Sequence, residues 1–235
     1  MTLTQIEVAG IPVLIHQKPI KNMHLRVYPP DGLVKVTAPV KFKLTTVYSF
    51  IEEKIDWIQK HRKRIQSVSI PPPLQFQTGE TLHFLGLEYQ LVIKQGSTKA
   101  SLTLDDNLML LSIPEEFSLE TKKKFLIQWY KNQLANILPC LINKWEQIIG
   151  VSAQKWGIKL MKTRWGSCNP LSKRICLNLA LIKKPIACIE SVIVHELIHI
   201  LEPSHNKRFY ALMTQFMPEW PEHKNALRYI KIPFL

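Results

Sequence analysis

The sequence predicts an α+β fold: a strand-rich N-terminal half, then a helical half built around one β-hairpin and one strongly apolar helix. Three features carry this expectation. Residues 1 to about 115 fall into short runs rich in β-branched and aromatic residues, separated by turn signals such as Pro30-Asp31-Gly32 and Asp105-Asp106-Asn107. From Ser118 the apolar residues recur at the helical period instead. Within that helical half, two short runs separated by Asn169 to Lys173 read as a hairpin.

In chain order, the first expected strands are Gln5 to Ile15, His24 to Tyr28 and Leu33 to Thr37. A helix follows over Thr45 to Ser67, where Val47, Phe50, Ile51, Ile55 and Ile58 keep near-helical spacing. A second group of strands covers Thr81 to Phe84, Tyr89 to Lys94, Ala100 to Leu104 and Leu108 to Ile113. The long pattern from Ser118 to Ile149 is helical, with Gly150 as its stop. Pro139 inside it lacks an amide proton and crowds the preceding turn, so a kink or a split into two helices is expected. The hairpin pairs Lys159 to Cys168 with Arg174 to Leu181. Pro185 suits the first turn of a helix, and Pro203 pushes the residue before it out of the helical region, which bounds a helix ending near Leu201. Asn206 to Met217 and Glu222 to Tyr229 complete the set.

These elements divide into a strand-rich region, 1–115, and a second domain, 116–235. Sliding the chain by 75 residues lays Leu33, Pro39, Phe42, Leu44, Thr46 and Phe50 on Leu108, Pro114, Phe117, Leu119, Thr121 and Phe125, which suggests a duplicated unit of strands followed by a helix. Ser69 to Pro73, with three consecutive prolines, is the seam between the copies.

A chain of 235 residues can bury a core without covalent staples. Cys140, Cys168, Cys176 and Cys188 lack the paired spacing of a zinc ribbon or redox motif, so a reducing, cytoplasmic setting is expected. Val8 to Ile15 is short and broken by Gly10 and Pro12, unlike a secretory leader. No run of about 18 or more apolar residues occurs, which argues against a membrane partner. The balance of 31 Lys and Arg against 18 Asp and Glu, net +13 with pI near 9.6, leaves room for a polyanionic partner, a nucleotide or nucleic acid. The basic clusters at His61 to Arg64, Lys122 to Lys124 and Lys183 to Lys184 match no nucleic-acid motif.

The strongest chemical signal is His195-Glu196-Leu197-Ile198-His199. Residues four apart share a helix face, so both imidazoles can reach one ion while Glu196, beside the first, reaches a water on it. The flanking Val192, Ile193, Val194, Leu197, Ile198, Ile200 and Leu201 mark a buried helix, where uncoordinated polar side chains would be costly. A catalytic zinc takes three protein ligands and keeps one position open. His205 is the preferred third, because Pro203 ends the helix and lets the chain turn back; Glu219 and Glu222 are the competitors. The offset of His205 matches metzincin spacing, although Glu202 stands where that pattern has glycine.

Arg164-Trp165-Gly166-Ser167-Cys168 is the second cluster. Gly166 permits close approach of a ligand or another backbone, and Arg164 can stabilise developing oxyanion charge or pair with an acidic substrate group. Cys168 reads as a partly buried free thiol, ahead of a nucleophile or an extra ligand.

Arg164 to Cys168, Leu177-Asn178, Leu181, Pro185, His195-Glu196-Leu197, His199, His205 and Phe209 together resemble the pattern of the YgjP-like predicted metal-dependent hydrolases, relatives of the SprT and WLM zinc peptidases. The resemblance spans about residues 160 to 212. It implies a zincin-like core with a small sheet beside the active-site helix, Zn2+ as cofactor, ligand roles for His195, His199 and His205, and the base role for Glu196. Lys173 stands where that pattern leads us to expect glycine, and Ser191 where an aromatic is common. The expected chemistry is metal-assisted hydrolysis of a peptide or protein docked as an added strand along Arg164 to Cys168. The positive charge also suits a nucleotide phosphoanhydride or phosphoester as substrate, and the charge with the SprT likeness suits a protease acting on DNA-bound proteins.

Overall fold

Alternation of apolar residues dictates which face of each N-terminal strand turns inward. The computed structural model describes residues 3–28, 31–66 and 73–227, and the chain divides into two compact units, Met1–Pro72 and Pro73–Leu235. In the first, β1 (Leu3–Val8), β2 (Ile11–Lys18), β3 (His24–Tyr28) and β4 (Leu33–Pro39) form one sheet in the order β1-β2-β4-β3. The β2–β4 pairing is parallel and the other two are antiparallel. Val13, Ile15, Val34 and Val36 point inward, where α1 (Leu44–Glu52) and α2 (Ile55–Gln66) add Val47, Ile51 and Ile58.

Two expectations change here. The single strand over Gln5 to Ile15 is two strands, because Ala9 and Gly10 adopt φ of 49° and 72° and close a two-residue hairpin turn. The helix over Thr45 to Ser67 is also two: the Lys54 amide closes a tight turn onto Ile51 O, and Lys54 O then accepts the first bond of α2 from Ile58. Ser67 lies outside the described residues.

The second unit begins with β5 (Thr81–Phe84), β6 (Leu87–Gln95), β7 (Ser101–Asp105) and β8 (Leu108–Ile113), ordered β5-β6-β8-β7. Pairing senses repeat those of the first sheet, and the 75-residue shift lays each strand of the first onto one of the second. The hairpin turn at Leu85-Gly86 again has positive φ, 49° and 87°. Next comes α3 (Leu119–Ile149), opened by Ser118, whose hydroxyl accepts the Thr121 amide, and ended by Gly150 at φ 77°. Pro139 does not divide it: α3 is one helix, and its buried stripe runs from Leu126 through Tyr130, Leu134 and Leu138 to Ile142, Trp145 and Ile149.

The remaining elements build the site. β9 (Lys155–Lys159), β10 (Gly166–Asn169) and β11 (Arg174–Asn178) form a three-stranded sheet, ordered β10-β11-β9, with β9 parallel to β11 and β10 as an edge. The expected hairpin arms were longer on both sides; Asn178 ends them, as described below. A 3-10 turn over Leu179–Lys183 leads into α4 (Ile186–Leu201), followed by α5 (Lys207–Phe216) and α6 (Trp220–Ala226). Tyr229 lies outside the described residues. Lys173, where glycine was expected, adopts φ of 46°, the left-handed backbone that favours glycine. Among the described residues no helix is long and apolar enough to cross a membrane.

Leu91, Met109 and Leu111 of the second sheet lie in one core with Leu134 of α3 and with Ile193 and Leu197 of α4. The β5–β6 turn also meets the entry to α4: the Leu85 amide donates to Ile182 O at 2.7 Å, and a Cβ on Gly86 would lie 2.7 Å from Pro185 Cγ. The compact unit therefore starts at Pro73, ahead of the boundary expected at 116. A change of hydrophobic period marks a change of element, not the edge of a core. A fragment over 73–235 is expected to melt cooperatively, whereas 116–235 should aggregate. The shorter piece loses Leu82, Leu91, Met109 and Leu111, each buried side chain contributing about 1.5–3 kcal/mol, a sum comparable with a whole domain's stability. Calorimetry on the two fragments is the check; a soluble, cooperative 116–235 would show that the sheet is dispensable.

Candidate metal centre

The helix α4 is apolar almost all round, and Ile189, Ile193, Val194, Leu197 and Ile198 are buried. Its end is set by Pro203. Glu202 takes an extended conformation (φ −141°, ψ 98°) while its amide still donates to Ile198 O at 2.9 Å. The chain then turns sharply. Glu202 Oε1 accepts the Ser204 amide at 3.2 Å, Arg208 reaches Glu202 Oε2 at 3.8 Å, and Asn206 opens α5 by accepting the Phe209 amide at 3.0 Å. This turn carries His205 back over the face of α4 that bears His195 and His199.

The candidate ligand atoms of His195, His199 and His205 all lie within 4.8 Å of one another. His205 Nε2 and His195 Nε2 are 3.0 Å apart, and the three ring centroids are separated by 4.8, 4.9 and 4.6 Å. Phe209, fully buried, touches all three rings at 4.9, 4.7 and 4.6 Å and forms the floor beneath them. His199 Nδ1 lies 3.1 Å from Glu202 O, so its N–H donates there and its Nε2 lone pair is left for an ion. Burial, reinforced by the charges of His199, His205 and Lys224, lowers the His195 pKa to about 3, and burial likewise lowers that of His205. Neutral imidazoles are the form that binds metal, and three nitrogens converging on one point fit a divalent ion with an open position. Glu219 and Glu222 are exposed and outside this group.

Glu196 is 5% exposed, and burial raises its pKa to about 8 against the opposing pull of Arg164. Its carboxylate lies against β10: a Cβ on Gly166 would come within 2.5 Å of Glu196 Oε1 and 2.7 Å of its Cγ. The close approach that Gly166 permits is thus to this side chain. Arg164 is exposed just before β10, and its charge is felt at Glu196. The Cys168 thiol is pushed up to about 11 by burial and by Glu196, which favours the protonated thiol over the thiolate.

Residues 21–229 match the YgjP-like metallopeptidase domain. The chain belongs to the YgjP-like metallopeptidase family. No curated protein matches it. Among solved structures, the crystal structure of the metallopeptidase zymogen of Pyrococcus abyssi abylysin is similar, with 18% identity and a TM-score of 0.36 over 39% of this chain and 91% of that one.

Several supports of this YgjP-like site carry no chemical signature of their own. Asn178 is fully buried and ties down the segment before β10: its Nδ2 donates to Met161 O at 2.8 Å and Arg164 O at 2.6 Å, its Oδ1 accepts the amides of Met161 and Ala180, and its own amide donates to Trp165 O. A buried side chain satisfied in this way holds residues 161–165 as an irregular loop, which is why the expected strand from Lys159 begins only at Gly166. Trp165 Nε1 donates to Leu227 O at 2.6 Å and anchors the end of α6. Lys224 on α6, whose charge bears on His195 and His205, rests over Trp220 at 5.1 Å and Tyr210 at 5.8 Å. Only a pattern joining α6 to the histidines could have revealed it, and helical spacing supplies none.

Glu196 also sets a pH dependence for the metal-free protein. Its folded pKa of about 8 exceeds the ordinary 4.5, so the folded state favours the proton. The corresponding stability is present in full below about 4.5 and is lost as pH rises through 8. Glu196→Gln stays neutral at every pH. Urea unfolding in chelator should therefore show the variant gaining on the wild type between pH 5 and pH 9 by a few kcal/mol, an order-of-magnitude figure. Parallel pH profiles would mean that the carboxylate is not desolvated.

Proposed function

We propose that this protein is a zinc-dependent metallopeptidase in which His195, His199 and His205 hold the ion and Glu196 is the general base. The convergence of three neutral imidazoles beside a buried carboxylate is the observation that carries this reading. Zinc held there would acidify a water to a pKa of about 7 and polarise the scissile carbonyl. Glu196 keeps its proton up to about pH 8 in the metal-free chain but would ionise beside the charge of the ion; as a carboxylate it takes the proton from the attacking water and passes it to the leaving amine. Arg164 supplies positive charge beside Glu196 for an oxyanion or an acidic substrate group. β10 is an edge strand against α4, and an extended peptide can add to it through backbone hydrogen bonds.

A second reading, hydrolysis of a nucleotide phosphoanhydride or phosphoester, draws on the two cations, Arg164 and Lys224, whose charges bear on the site. The zinc-loaded full chain should be assayed on a peptide library and on nucleoside triphosphates side by side. Peptide cleavage that stops in chelator and returns with zinc is the expected result. Turnover of triphosphates with intact peptides would replace it with the second reading.

A further inference from the structure

The N-terminal sheet buries one face under α1 and α2 and leaves the other accessible. On that open face His16, Lys18, His24, Arg26 and Lys35 line a shallow basin of about 370 Å³, with Tyr28 at one end. The register sets these groups side by side. His16 and His24 both pair with Thr37, from opposite sides of β4, while Lys35 pairs with Leu14 on one side and Arg26 on the other. Like charges directly opposite one another across two strands repel. Among the described residues no carboxylate pairs with Lys18, Arg26 or Lys35; Lys35 Nζ instead lies 5.3 Å from the Tyr28 ring. Glu7 on β1 also belongs to this face, but it is paired with Pro12, away from the basin lining. Half-buried Leu14 and Ile20 and the exposed Leu3 supply its apolar lining.

We propose that this face binds single-stranded nucleic acid. Lys18, Arg26 and Lys35 take the phosphates, and the rings of His16, His24 and Tyr28 offer stacking partners for the bases. An anionic strand removes the repulsion between Arg26 and Lys35, and bases cover the apolar lining. Same-face residues recur about every 6.7 Å along a strand and neighbouring strands lie about 4.8 Å apart, so the patch spans a few nucleotides. Single strands fit better than duplex because ring stacking needs bases that can be splayed onto a sheet, and α1 and α2, on the opposite face, cannot enter a groove. A bilayer fits less well, since the cations line a concavity instead of a flat or convex surface. This surface lies wholly in the first unit, and the proposal is independent of the hydrolase reading.

Fluorescence anisotropy on the full chain, with labelled oligouridine of about 20 nucleotides, is the test. Binding tighter than about 100 µM that exceeds binding to a duplex of equal length, and weakens linearly in log salt, is expected. The triple variant Lys18→Gln, Arg26→Gln, Lys35→Gln should bind at least about tenfold more weakly, with a salt slope smaller by about 2, that is about 0.7 for each phosphate no longer neutralised. Tyr28→Ala should weaken binding with the slope unchanged. Arg26→Glu alone should weaken it in the same direction, which covers the case of a misfolded triple variant, and melting temperature and metal content should hold in all of them. The proposal is overturned by wild type that fails to bind, by variants that bind like wild type, by polyglutamate competing as well as oligouridine at equal charge, or by preference for phosphatidylserine vesicles.

Discussion

Replacing Glu196 by glutamine should leave a folded protein that keeps its metal and loses about two or more orders of magnitude in turnover. On a helix Glu196 points about 100 degrees away from His195, so the histidine pair can hold an ion without it. Its carboxylate is confined instead between α4 and Gly166 of β10, where no methyl group fits. Glutamine keeps the size and the hydrogen-bonding reach but cannot take a proton. kcat should fall while KM stays within a few-fold, because in the proposed docking mode the peptide is held by β10 and not by the carboxylate. Metal content by elemental analysis separates this outcome from loss of the ion. Near-normal turnover by the variant, on any substrate the wild type cleaves, would leave the three histidines as a structural metal site.

The three histidines were legible in the sequence because helical geometry makes spacing into position: residues 195 and 199 share a face wherever a helix forms, and Pro203 dictates where it ends. Gly166 was legible as a place of close approach, but its partner was not. The contact joins β10 to α4, 30 positions apart, and no local pattern reports such a meeting. Asn178 was visible only as part of a family pattern, since a buried asparagine that ties a loop to a strand has no chemistry to advertise. The turn at Ala9-Gly10 was missed because alanine at φ of 49° is no turn signal. Strand geometry hid the basic basin in another way. Its cations, Lys18, Arg26 and Lys35, come one from each of three strands, so no contiguous cluster betrays them, and the runs that did draw notice, such as Lys122 to Lys124, line no part of it. The α+β class followed from local signals, the strand-forming runs with their turns and then the helical period, and the zincin-like core from the family resemblance. The extent of the second core did not, because Leu91, Met109 and Leu111 join one core with α3 and α4 only in the folded chain.

His205→Ala should lower zinc affinity by about two or more orders of magnitude, whereas Glu219→Ala and Glu222→Ala should leave it unchanged. His205 stands apart from the other two candidate ligands because it is exposed and sits on a turn instead of the helix. Its position depends on the Glu202 carboxylate holding Ser204 and Arg208, and on the Asn206 cap of α5. Removing an exposed imidazole opens no cavity in the core, so the metal-free variant should melt at the wild-type temperature. The effect should appear only with metal present. An ion that binds the folded state alone raises the melting temperature according to its concentration over Kd, and a hundredfold loss of affinity removes about 2.7 kcal/mol of that stabilisation. Competition with a chelator gives the affinities directly, and thermal melts with and without zinc give the linkage. If His205→Ala keeps its zinc while Glu219→Ala or Glu222→Ala loses it, the third ligand is a carboxylate, and the 3.0 Å approach of His205 to His195 is a contact between two imidazoles with no ion to share.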